Sequence, residues 1–284
     1  MLALDQYHNK LHDAASCWER SVEKVRRMMK HTGLKIVFAF TMLAFSAFGA
    51  RADAVNVAVA ANFTDTAKEL SRVFRERTGH DAILSFGSSG QLYTQIKEHA
   101  PFEVFLSADE ERPKKLVSEG LALGNEGFVY AIGKLVLWSK ATAFVKNEET
   151  LKRNMFSKIA IANPAVAPYG VAAVEVMKAL GVYETLQPKI VQGNSIAQVF
   201  QFVNTDNAEL GFIALSQIPN QKEGSWWVVP EKLYKPIRQG AVLLKAGEKS
   251  DAAKSFITFL KSPLARSIIQ KSGYATQMIV SGNK

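Results

Sequence analysis

The stretch Val55-Asn56-Val57-Ala58-Val59-Ala60-Ala61-Asn62-Phe63-Thr64 governs the reading of the fold. Its first six residues are a short β-branched and alanine run, as a buried strand requires. The run breaks at Ala61–Thr64, and Ala67, Leu70 and Phe74 then recur at helical spacing. Thr78-Gly79-His80 ends that helix, and Ala82–Phe86 reads as the next strand. Gly87-Ser88-Ser89-Gly90 opens a second helix carrying Leu92 and Ile96, followed by a strand at Val104–Leu106 and a helix near Glu110–Glu119. This βαβαβ order predicts a parallel sheet covered by helices on both faces.

The same alternation continues downstream. Lys134–Ser139 is a further strand, and a second set runs through Ile159–Ala162, a helix from about Gly170 to Leu180, Lys189–Val191, a helix from Ser195, and Gly211–Ala214. After Trp226–Val229 the chain passes Tyr234–Ile237 into a strand at Ala241–Lys245, with closing helices near Ala252–Lys261 and Pro263–Ser272. The pattern predicts two α/β lobes, 53–135 plus 237–284 and 136–236, the second inserted within the first.

The N-terminal part reads differently. Arg26, Arg27, Lys30 and Lys35 precede a 13-residue apolar run, Ile36–Phe48, followed by the A-x-A site Ala50-Arg51-Ala52. That run is too short for the roughly 20 residues of a spanning helix and suits a signal-peptide core. Export with cleavage after Ala52 is therefore expected, a cut after Ala54 being the alternative. The long stretch before the basic flank suggests a start at Met28 or Met29, with 1–27 an extension of the gene model. Cys17 lies in that stretch, so the processed chain has no cysteine for a disulfide, a metal site or a lipid anchor after the apolar run. Close to half of the net charge of +9 falls within residues 1–52, which weakens any nucleic-acid reading.

Chemistry is concentrated where strands hand over to helices. Ala61-Asn62-Phe63-Thr64, Gly87-Ser88-Ser89-Gly90, Ala167-Pro168-Tyr169-Gly170 and Asn194-Ser195-Ile196-Ala197 are joints of small, hydroxyl or amide residues without Lys or Arg. Each alone reads as helix capping. Together, two in each lobe, they suit a cleft that holds a small anion through oriented dipoles.

Enzyme readings find little support. Gly87-Ser88-Ser89-Gly90 is not G-x-S-x-G, and the processed chain offers only His80 and His99, both expected at the surface. No H-E-x-x-H or phosphate-loop motif occurs. Asp109 is expected to cap the following helix rather than to act as a catalytic carboxylate. Trp138, Trp226 and Trp227 are expected in core or hinge packing.

The ordered set of motifs resembles the periplasmic molybdate-binding proteins of molybdate ABC importers. It comprises Ala61–Phe63, Ser85–Gly90, Val104–Asp109, Ala131–Ser139, Asn163-Pro164, Ala167–Gly170, Asn194–Gln198 and Gly211–Ala214, and covers essentially residues 55–282. The resemblance implies a type II periplasmic binding protein fold, two α/β lobes closing on molybdate or tungstate, with no catalysis and no cofactor. It implies a membrane permease and, through it, an ATPase as partners, and a monomeric protein in the periplasm. Carried over position by position, the oxyanion contacts fall on Asn62 and Ser89 from one lobe and on Tyr169 and Ile196 from the other, mainly through backbone N–H groups. Ser88 and Ala61 border the site. One branch of the family has Tyr at the position of Ala214; here a side-chain hydrogen bond from that position is excluded. Sulfate or another tetrahedral oxyanion is the alternative solute. Asp65 is the one carboxylate near the joints, so protonated phosphate is expected to bind weakly.

Overall fold

The computed structural model describes residues 53–276, apart from 125–126 and 219–223, together with Glu23. The leader, the cleavage after Ala52 and the start at Met28 or Met29 lie outside the described residues.

The first strand, β1 (Ala54–Ala60), is buried on both faces: Val55, Val57 and Val59 point into one apolar cluster and Ala58 into another. A short 3-10 turn, Ala61–Phe63, leads into helix α1 (Thr64–Thr78). α1 buries Ala67, Leu70, Val73 and Phe74 against β1 and ends at Gly79, whose φ of 76° places it in the left-handed region. β2 (Asp81–Gly87), α2 (Ser89–Lys97), β3 (Val104–Leu106) and α3 (Glu111–Ser118) complete the βαβαβ unit. β4 (Phe128–Gly133) and β5 (Leu135–Ser139) follow, separated only by Lys134. The second set is β6 (Ile159–Ala162), α4 (Pro168–Ala179), β7 (Ile190–Gly193), α5 (Ile196–Asn204), β8 (Leu210–Ala214) and β9 (Ser225–Val228). β10 (Ile237–Leu243), α6 (Asp251–Leu260) and α7 (Pro263–Lys271) close the chain.

These strands form two five-stranded sheets of the same plan, ordered β2-β1-β3-β10-β4 and β7-β6-β8-β5-β9. The chain leaves the first sheet through Gly133–Leu135 and returns to it between Val228 and Ile237. Each sheet has three parallel strands followed by an antiparallel one: β10 runs against β3 and β4, and β5 against β8 and β9. The sheets are thus mixed rather than wholly parallel. β4 and β10 are far apart in sequence, and an antiparallel partner at that distance leaves no local periodicity to read.

Two further expectations change. Trp226 is 44% exposed on edge strand β9, whereas Trp138 is buried and stacks on Phe200. His80 is half-buried against Phe74, and its Nδ1 has no hydrogen-bond partner among the described residues, while His99 is exposed.

Candidate functional site

Register brings the joints together in pairs. β1 and β2 run parallel with Ala60 level with Gly87, and β6 and β7 do so with Ala162 level with Gly193. Each lobe therefore presents two helix beginnings side by side at the carboxyl edge of its sheet, where ligands bind in open α/β sheets.

Every implied contact residue lies in the opening turn of a helix. Asn62 sits in the 3-10 turn before α1, Ser89 is the first residue of α2, Tyr169 the second of α4 after Pro168, and Ile196 the first of α5. Backbone N–H groups at these positions have no acceptor within their own helix and point outward along the positive end of its dipole. Gly170 lets the start of α4 pack against the end of β6, because a Cβ there would stand 2.0 Å from the Ala162 carbonyl oxygen.

The six candidates are buried, none more than 7% exposed. Ala60, Ala61 and Ala108 of the first lobe share one apolar cluster with Tyr169 and Ile196 of the second. Hydrogen bonds cross between the lobes here. Gly90 N–H donates to the Val166 carbonyl (2.9 Å), Ser216 Oγ to the Asn62 carbonyl (2.9 Å), and Gln239 Nε2 to Tyr169 Oη (3.3 Å).

The side chains divide by what they hold. Ser89 Oγ accepts from the Ala108 N–H at 2.9 Å, which leaves its own O–H as a donor. Ser88 caps α2, and both its N–H and its O–H face Gln91 Oε1, at 3.3 and 2.9 Å. It borders the joint and spends its donors on the helix. Ser195 caps α5 in the same way through the Gln198 N–H. The Asn62 amide Nδ2 is turned inward, 2.9 Å from Gln239 Oε1 and 3.1 Å from Tyr274 Oη. The Asn62 amide is thus taken up by partners within the first lobe. The Tyr169 hydroxyl points at the crossover between the lobes, where a Cβ on Gly133 would lie 2.1 Å from it. Burial first of all pushes the Tyr169 and Tyr130 phenols well above their ordinary range, so both stay neutral donors.

No Lys or Arg is a hydrogen-bond partner of the six side chains among the described residues. Asp65 is exposed and faces Lys68. Asp109 accepts from the Arg112 N–H at 2.9 Å and pairs with its guanidinium, the capping role expected of it. Among the described residues no three His, Cys, Asp or Glu side chains converge as a cation site would need. Gln239, Tyr274 and Ser216 join the site from outside the four joints; the one cue for Gln239 in the sequence is the glycine that follows it in a strand.

Residues 55–275 match the family model described as bacterial extracellular solute-binding protein. The chain belongs to that family. As a solute-binding protein it shares a family with components of transporters rather than with enzymes. It is 54% identical over 231 residues to the molybdate-binding protein ModA of Rhodobacter capsulatus, an alignment covering 81% of this chain and 92% of that one. The periplasmic molybdate-binding protein of Azotobacter vinelandii superposes with a TM-score of 0.76 at 41% identity, covering 78% of this chain and 99% of that one. The sulfate-binding protein SubI of Mycobacterium tuberculosis superposes at 0.66 with 11% identity, over 78% and 86%, a likeness of fold alone. The solute-binding protein thus has the two-lobed type II periplasmic binding protein fold that the sequence motifs imply.

Proposed function

We propose that this chain is the periplasmic component of an ABC importer and that it binds molybdate, and tungstate as well. The observation that carries this reading is the set of four helix beginnings facing one another across the lobes in a chain 54% identical to a molybdate-binding protein. Asn62 and Ser89 from one lobe, and Tyr169 and Ile196 from the other, donate to the oxyanion, with Ala61 and Ser88 as its border. The lobes are 53–135 plus 237–284 and 136–236, and the exported chain, cut after Ala52, works as a monomer. It delivers solute to a membrane permease driven by an ATPase.

A tetrahedral dianion that engages donors from both lobes favours the closed arrangement by its differential affinity. Hydrogen bonds to a charged acceptor contribute about 1.5–3 kcal/mol each, so several offset desolvation without a buried cation. Sulfate carries the same charge but is smaller, so discrimination rests on reach: a smaller anion leaves some of the fixed donors unsatisfied. Isothermal titration of protein purified after expression of the full chain, with molybdate, tungstate, sulfate and phosphate, tests the reading. One-to-one binding of the first two that survives excess sulfate supports it; equal sulfate affinity overturns the solute.

A further inference from the structure

Gln239 has no place among the implied contacts, yet it touches two of them, one from each lobe. It lies on β10 at an irregularity of the β10–β4 pairing, where the register shifts between Gln239 and Gly240. Such a bulge re-aims a side chain, and the Gln239 side chain is completely buried. Its Oε1 accepts from Asn62 Nδ2 at 2.9 Å and from Tyr130 Oη at 3.0 Å, while its Nε2 donates to Tyr169 Oη at 3.3 Å. Asn62 is held from its other side by Tyr274, whose hydroxyl is 2.7 Å from the Asn62 carbonyl oxygen and 2.8 Å from Ser216 Oγ. The space for this junction is made by Gly133, since a Cβ there would stand 2.8 Å from Gln239 Nε2 as well as against Tyr169 Oη.

We infer that Gln239 is a positioning residue for solute binding: its amide fixes Asn62 of the first lobe and Tyr169 of the second in one hydrogen-bonded unit, so that their backbone donors reach the solute only together. The inference rests on the oxyanion-binding reading above and adds to it a residue that touches no solute. An apolar side chain of similar length at 239 leaves three buried polar groups short of a partner, which is costly and frees both joints to shift.

The test is a double-substitution cycle read by molybdate titration of protein purified after expression of the full chain, with thermal unfolding measured alongside. Gln239→Leu is expected to weaken molybdate binding roughly tenfold or more in folded protein. Tyr169→Phe weakens it in the wild-type background, and adding Tyr169→Phe to Gln239→Leu changes it by less than about twofold, because the unit is already broken. A folded Gln239→Leu protein with wild-type affinity overturns the inference, as do independent effects that simply multiply.

Gln239→Glu supplies a second readout if the leucine variant does not fold. A protonated carboxyl reproduces the acceptor and donor of the amide, and burial raises its pKa. The neighbouring Tyr130 and Tyr169 stay neutral, and Asp109 is held by Arg112. Affinity of the glutamate variant is expected to recover as pH falls from about 8.5 to about 6, while the wild type stays flat. A glutamate variant as insensitive to pH as the wild type contradicts the inference. If the wild type binds no oxyanion, the functional reading fails, and that arm identifies the failure separately.

Discussion

The Gly90 amide nitrogen stands 2.9 Å from the Val166 carbonyl oxygen, so the opening turn of α2 in one lobe is hydrogen-bonded to the loop before α4 in the other. The approach is possible only without a side chain: a Cβ on Gly90 would lie 2.8 Å from Val166 Cα and 2.9 Å from its Cβ. One position therefore serves both helix α2 and the closing of the lobes, and the two roles ask for opposite residues.

Gly90→Ala separates them. Alanine favours a helix over glycine by about 0.5–1 kcal/mol, so ligand-free stability is expected to hold or rise. The added methyl keeps the lobes from meeting, and molybdate affinity is expected to fall by about tenfold or more. Thermal unfolding without solute, paired with titration, checks both directions; unchanged affinity contradicts the closed contact.

Adjacent serines are expected to behave differently. On the proposed reading, Ser89→Ala removes a donor to a charged acceptor, a loss of about 1.5–3 kcal/mol in binding, and it also costs stability because the buried Ala108 N–H loses its acceptor. Ser88→Ala removes the cap of α2, costing about 1 kcal/mol of stability. Its effect on binding is expected to be the lesser of the two, since its donors face Gln91. Titration and chemical denaturation of the two variants side by side reveal the contrast, and equal binding losses would contradict it.

Alkaline pH is expected to unfold the protein through its buried phenols. Burial raises Tyr130, Tyr169 and Tyr274 above their unfolded value of about 10. A raised folded-state pKa gives stability that is complete below the unfolded value and declines above it, as the unfolded chain loses protons that the folded one keeps. With respect to these groups, stability is therefore expected to be flat between about pH 6 and 9 and to drop beyond about pH 10. Denaturation midpoints across that range test this, and Tyr130→Phe should soften the drop.

The sequence is most readable where structure is local. Val55–Ala60, Val104–Leu106 and Gly79 announce themselves through β-branched runs and a left-handed cap, and the helix beginnings at Ser88 and Ser195 through their hydroxyls. The strand-to-helix joints that carry the candidate contacts were legible as positions. The side-chain partners were not: Asn62 and Tyr169 hydrogen-bond to Gln239, which lies 177 and 70 residues away in the chain. The β10–β4 pairing that delivers Gln239 is likewise non-local, and Trp226 on the β9 edge shows that an aromatic pair in a strand does not disclose which ring is covered.

The most direct test of the account is calorimetric titration of the protein with molybdate in the presence of a large excess of sulfate. Tight one-to-one binding that sulfate does not displace, and that Ser89→Ala combined with Asn62→Ala abolishes or greatly weakens, is the expected result. Binding that sulfate competes away at equal affinity, or no binding of any oxyanion, contradicts it and returns the four joints to helix capping.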